Sequence, residues 1–167
     1  MSLTLDQVLD PLNSAANFAP GRNAHLSTVP DVPPDCDRSG AALQVTISAL
    51  AGGTDSTSVK KLALDLSASA ARQAVFSVWC KALSLEHLAA VYVLFGFPGD
   101  GYAAYRIMPA AAGAWTKFTI PIASPSSARG VDWSNVTLLV LRVDAASDAR
   151  FTGRVRLYDL RVIEARP

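Results

Sequence analysis

The chain has 167 residues, a net charge of +1 and 17% charged residues. That length fits one domain, able to bury about 70% of the surface its unfolded form exposes. The balanced charge argues against nucleic acid as a partner, and the 50% hydrophobic content argues against disorder.

No apolar run approaches the roughly 18 residues of a transmembrane helix, so no membrane insertion is expected. Met1–Asp6 lacks the basic and apolar regions of a secretory signal. An extracellular or virion-associated location is expected only if such a signal lies upstream. Cys36 and Cys80 are the two cysteines, too few for a disulfide framework or a zinc site. Cys80 reads as a small buried hydrophobe. A Cys36–Cys80 bridge stays open as the alternative in an oxidising compartment.

Residues 1–40 are punctuated by Pro11, Pro20, Pro30, Pro33 and Pro34, each disfavouring helix in the residue before it. They predict a short strand over Gln7–Leu12 and then a long loop wrapping the body of the domain, residues 41–165. Strands follow at short intervals: Leu43–Ile47, Lys61–Leu66, Val75–Lys81, Leu88–Phe97, Tyr102–Met108, Trp115–Ile122, Val136–Val143 and Arg154–Ile163. Apolar and polar residues alternate along them with period 2, the mark of strands with one face in a core and one in water. Ala51–Ser58 reads as a polar turn and Ser124–Gly130 as a Ser/Pro loop. Pro98-Gly99-Asp100-Gly101 reads as a tight hairpin in which Asp-Gly supplies positive φ. Leu83–Ala90 carries a competing helical pattern. Eight strands, with a ninth at the N-terminus, predict an all-β fold: a single antiparallel β-sandwich of jelly-roll type over residues 1–167.

No catalytic constellation stands out, and an enzyme is not expected. There is no Gly-x-Ser-x-Gly elbow, His25 and His87 lie in no triad or metal spacing, and Gly52-Gly53 lacks the lysine of a phosphate loop. The remaining signal is aromatic. Sugar rings present apolar CH faces and a rim of hydroxyls, so their sites need a flat ring and a few fixed polar groups. Alternation sets Trp79 and Lys81 opposite Phe76, Val78 and Cys80. It sets Tyr92 opposite Val91, Val93 and Phe95, places Tyr102 and Arg106 on one face with Ala104 between them, and sets Arg142 opposite Leu139, Leu141 and Val143. Trp79, Lys81, Tyr92, Tyr102, Arg106 and Arg142 are therefore the candidate ligand-binding residues, expected to line one concave sheet. The competing reading packs the aromatics under loops and pairs the arginines with Asp65 or Asp144. Trp115 and Trp133 are assigned to structural roles.

Four segments occur in the order seen in galactose-binding-like jelly rolls. They are Lys61-Leu62-Ala63-Leu64-Asp65-Leu66-Ser67, Phe76-Ser77-Val78-Trp79, Trp115-Thr116-Lys117-Phe118-Thr119-Ile120 and Leu157-Tyr158-Asp159-Leu160-Arg161-Val162. Over about residues 40–165 the chain resembles the non-catalytic carbohydrate-binding modules of that superfamily, which accompany glycoside hydrolases. The resemblance implies a polysaccharide or glycan partner and a parent enzyme or larger assembly. It also implies a structural Ca2+ ion between the N-terminal segment and the last strand, held by Asp159 with Asp10, or nearby Asn13. The alternative for Asp159 is an ion pair with Arg161 or Arg154. A function of another class, a protein–protein interaction or structural domain such as a phage-tail component, fits the same fold.

Overall fold

A computed structural model describes residues 6–36, 40–71 and 73–164. Its strands are β1 (Asp6–Asp10), β2 (Ala24–Val29), β3 (Ala42–Leu50), β4 (Asp55–Leu64), β5 (Val75–Ala82), β6 (Leu88–Phe97), β7 (Gly101–Arg106), β8 (Thr116–Pro121), β9 (Ser127–Arg129), β10 (Val136–Ala145) and β11 (Phe151–Ile163). One short helix, α1 (Ser67–Ala71), joins β4 to β5. The first sheet runs β2-β3-β11-β5-β8, with β1 pairing β11 beyond the end of β3. The second runs β4-β10-β6-β7-β9. Strand makes up 56% of the chain and helix 3%, which is the expected all-β jelly-roll sandwich.

The core is the inward face of each alternating strand. Phe76, Val78 and Cys80 of β5 and Leu157, Leu160 and Val162 of β11 meet Val91, Val93 and Phe95 of β6 and Leu139, Leu141 and Val143 of β10. Burying each large side chain of this kind contributes roughly 1.5–3 kcal/mol. Phe76 stacks on Phe95 with ring centroids 4.6 Å apart, and Tyr105 meets Phe76 edge-on at 4.9 Å. The buried Tyr105 hydroxyl donates to the Ile122 carbonyl at 2.6 Å. Trp133 closes this cluster against Phe97 at 5.1 Å, and its carbonyl accepts from the Leu66 amide at 2.7 Å. Trp133 thus packs against the core as part of its aromatic cluster.

Several local expectations change. Ala24–Val29 is a strand on the edge of the first sheet rather than loop; Pro20 and Pro30 bracket it and polar residues interrupt its alternation. β4 begins inside the expected turn Ala51–Ser58, because its inward face starts with Ser56 and Ser58, both buried. Inward serines hide the alternation that marks a strand. β9 lies within the expected Ser/Pro loop and, at three exposed residues, is too short to show any period. Leu83–Ala90 forms no helix; it holds a turn and the start of β6. In the β6–β7 hairpin the positive φ angles fall on Gly99 (67°) and Asp100 (60°), one residue earlier than Asp-Gly implied. Both cysteines are free. Cys80 points into the core, where burial pushes its thiol pKa up, while Cys36 lies on a loop over the opposite face of the same sheet.

Candidate functional site

The outer face of the second sheet carries ordered rows of side chains. Because directly opposed residues of an antiparallel pair point to the same side, the register sets Thr57, Arg142, Tyr92 and Arg106 in one row. The next row holds Val59, Val140, Leu94, Ala104 and Ser127, and the third Lys61, Leu138, Gly96, Tyr102 and Arg129. Tyr92 and Tyr102 thus stand two rows apart with the methyl of Ala104 between them. The short side chains of Ala104 and Ser127 open an exposed cleft of about 300 Å³, lined by Tyr92, Leu94, Tyr102, Ala104, Ser127 and Arg142. Gly96 lets Leu138 lie flat over the third row; a Cβ there would stand 2.9 Å from the Leu138 Cβ.

Arg142 organises one wall of the cleft. Its Nε donates to Asp144 Oδ1 at 2.6 Å and its Nη2 to Asp144 Oδ2 at 2.9 Å, a two-pronged pair between residues on one face of β10. Asp55 Oδ2 adds a contact at 3.3 Å. The hydrogen bonds to Asp144 hold the Arg142 pKa above its ordinary value. The guanidinium carbon lies 5.6 Å from the Tyr92 ring centroid, within cation–π range. Arg106 is exposed; its Nη2 reaches the Ala89 carbonyl at 3.3 Å, and its amide donates to Ser126 Oγ at 3.0 Å, which ties the β9 segment to β7. Such a surface can stack an apolar ring face on a tyrosine while offering donors and acceptors along its edge.

The six candidate residues do not line one sheet. Tyr92, Tyr102, Arg106 and Arg142 share this face, but Trp79 and Lys81 are on the outer face of the first sheet, because β5 pairs with β8 and β11 rather than with β6. Alternation says which side of a strand a residue faces, not which sheet the strand joins. Trp79 does face outward. It is half-buried between Lys117 and Tyr158, with Lys117 Nζ 5.8 Å from its ring centroid. It lines a cavity of about 620 Å³ with Ser77, Asp159 and Arg161, walled by Asp35 and Cys36. Lys81 is committed to Asp31 at 2.8 Å. Asp31 also accepts from Arg156 and from Trp115 Nε1 at 3.3 Å, so its loop is strapped across the first sheet. Burial pushes the Asp31 carboxyl up, but hydrogen bonds from Lys81, Arg156 and Trp115 outweigh it and hold its pKa below the usual value. Leu94, Ser127 and Arg129 were not among the sequence candidates: Leu94 shares the outward side of β6 with Tyr92 but offers neither an aromatic ring nor a polar group, and nothing in Ser127–Arg129 signals a strand.

The carboxylates expected for calcium have other partners. Asp10 accepts from the Leu12 amide at 2.7 Å and from the Lys60 ammonium, a pair linking β1 to β4 across the sandwich. Asp159 accepts from Arg161 Nε at 2.6 Å, the ion pair that was the alternative, and faces the Trp79 cavity. Its φ of 54° marks a bulge in β11. Calcium takes six to eight oxygens. Here each carboxylate is matched to a cationic side chain, and among the described residues no group of three or more His, Cys, Asp or Glu could hold a metal. Among the described residues these side chains do not make a calcium donor set.

No protein-family model matches the chain, and a search of curated proteins finds no match. Solved structures do share its fold. The family 11 carbohydrate-binding module of the cellulosomal cellulase Lic26A-Cel5E of Clostridium thermocellum superposes with a TM-score of 0.66 at 16% identity, covering 98% of this chain and 97% of that one. The family 30 carbohydrate-binding module of the cellulosomal cellulase Cel9D-Cel44B of the same organism gives 0.64 at 15% identity, covering 95% and 96%. An exo-β-agarase gives 0.68 at 11% identity, with 96% of this chain covering 25% of that one. The likeness extends over nearly the whole chain and shows the fold, the jelly-roll β-sandwich expected from the sequence.

Proposed function

We propose that the chain is a non-catalytic carbohydrate-binding module that recognises a polysaccharide on the outer face of the second sheet. The observation that carries the reading is the convergence of Tyr92, Tyr102 and Arg142 on one open cleft floored by Leu94, Ala104 and Ser127. Each tyrosine offers a ring to the apolar face of a sugar. Arg142 and its partner Asp144 supply fixed donors and acceptors for hydroxyls at little entropic cost, because their geometry is already set. Likeness in fold to two carbohydrate-binding modules over nearly their whole length supports the reading. The match to one quarter of an agarase supports a role beside an enzyme that acts on the same polymer, and with it a place outside the cell. A protein-docking role has less to rest on, since Val131 is the one exposed large hydrophobic residue recorded among those described. A glycan array probed with the purified protein tests the proposal. Binding that is lost in Tyr92→Ala and Tyr102→Ala supports it; a protein that retains no glycan overturns it.

A further inference from the structure

Resting on that reading, we propose that the cleft selects acidic glycans, carrying carboxylate or sulfate groups, through Arg106 and Arg129. The outer face of the second sheet holds four cations, Lys61, Arg106, Arg129 and Arg142, against two carboxylates, Asp55 and Asp144. Both carboxylates are taken by Arg142. Among the described residues, Arg106 and Arg129 have no carboxylate partner, and both are exposed.

Their placement is what makes them more than solvated surface charge. Arg106 stands directly opposite Tyr92, and Arg129 directly opposite Tyr102. Each ring that could stack on a sugar therefore has beside it a guanidinium without a carboxylate partner among the described residues, Arg106 reaching only the Ala89 carbonyl. The two arginines are on neighbouring strands and two rows apart, about 14 Å between backbones by strand geometry. One thus stands in each of the two rows that carry the tyrosines of the cleft, next to the residues that line it. The β9 segment that carries Arg129 is held in place by Ser126, whose amide donates to the Ala104 carbonyl at 2.7 Å.

A neutral sugar hydroxyl is both donor and acceptor, and a site for it needs both kinds of group. Guanidinium only donates, through a planar fork. Its complement is a group that only accepts, through two or three oxygens: a uronate carboxylate or a sulfate ester. Two such forks flanking two rings match a chain in which charged groups recur along a run of sugar rings.

The test is calorimetric titration of the intact protein with four oligosaccharides of equal length: an oligogalacturonate, a sulfated carrageenan fragment, a neutral agaro-oligosaccharide and a cello-oligosaccharide. At low salt one or both acidic sugars should bind at least about tenfold tighter than the neutral ones, the worth of one charge-assisted contact. The two acidic arms separate carboxylate from sulfate as the source. Raising sodium chloride should erode that preference. Arg106→Gln and Arg129→Gln, both at exposed positions, should each lower acidic-sugar affinity roughly tenfold with an unchanged melting temperature. Neutral sugars bound as tightly as acidic ones, or arginine variants with unaltered affinity, would overturn the selectivity while leaving glycan binding in place. A single-stranded oligonucleotide of matched charge bound as tightly would also overturn it, because the arginines would then read charge alone. Failure of all four sugars to bind would overturn this inference together with the reading it rests on.

Discussion

Arg142 of β10 faces Tyr92 of β6 across one ladder of the second sheet, its guanidinium carbon 5.6 Å from the ring centroid and its nitrogens forked onto Asp144. The ring is thus held between a fixed cation and the neighbouring strand, which presents it to solvent at one orientation. Replacing Arg142 by lysine keeps the charge and removes the fork. Arg142→Lys is expected to lower stability by about 1 kcal/mol and weaken glycan binding several-fold, since a single ammonium cannot reproduce a two-pronged, stacked geometry. Paired thermal melts and titrations check this; a variant equal to the parent in both would remove the positioning role.

Trp79 makes the division between the two faces testable. It lines the cavity on the first sheet, away from the Tyr92–Tyr102 cleft. Trp79→Ala is expected to leave glycan affinity unchanged. Its ring is half-buried, so the stability loss should fall below the 3–5 kcal/mol typical of a core aromatic. Loss of binding in a folded Trp79→Ala protein would move the site to the first sheet.

Asp31 should give the protein an acid-labile strap. Its carboxyl is held below the usual value by Lys81, Arg156 and Trp115 against the opposing effect of burial. A depressed folded-state pKa contributes stability that is full above the unfolded value, about 3.9, and is lost as pH falls through the lower folded value. Asp31→Asn should therefore cost about 1 kcal/mol at neutral pH, the scale of a partly exposed, charge-assisted hydrogen-bond cluster. The difference from the parent should shrink below pH 4. Denaturant unfolding at a series of pH values measures it, and a pH-independent difference would contradict the linkage.

Calcium should not stabilise the fold. Asp10 and Asp159 are matched to Lys60 and Arg161. A ligand that binds only the folded state raises the melting temperature by mass action. Melts in excess calcium and in chelator are expected to coincide, and a calcium-dependent rise would restore the metal reading.

Much of the fold was legible in the sequence, because Val75–Ala82, Leu88–Phe97 and Val136–Ala145 carry a large apolar residue at every second, inward position and most of their polar and aromatic residues at the outward ones. Where the inward residues are serines, as in β4, or the strand is three residues long, as in β9, the same physics leaves no periodic trace. The site was half legible for a related reason. Tyr92, Tyr102, Arg106 and Arg142 were marked as outward-facing and do share a face. Trp79 carried the same mark with equal strength, yet its strand belongs to the other sheet. Strand pairing depends on contacts distant in sequence, such as Trp79 with Tyr158, and no local pattern encodes them. Ser127 and Arg129 enter the site only through that pairing.

The central claim is that Tyr92 and Tyr102 form the platforms of a glycan-binding cleft. It is tested most directly by titrating a polysaccharide selected on a glycan array into the parent, Tyr92→Ala and Tyr102→Ala proteins, with thermal melts alongside. Each substitution is expected to weaken binding by at least about 2 kcal/mol, roughly 30-fold in Kd, while the variants stay folded. Unaltered affinity in both folded variants would contradict the assignment of this face.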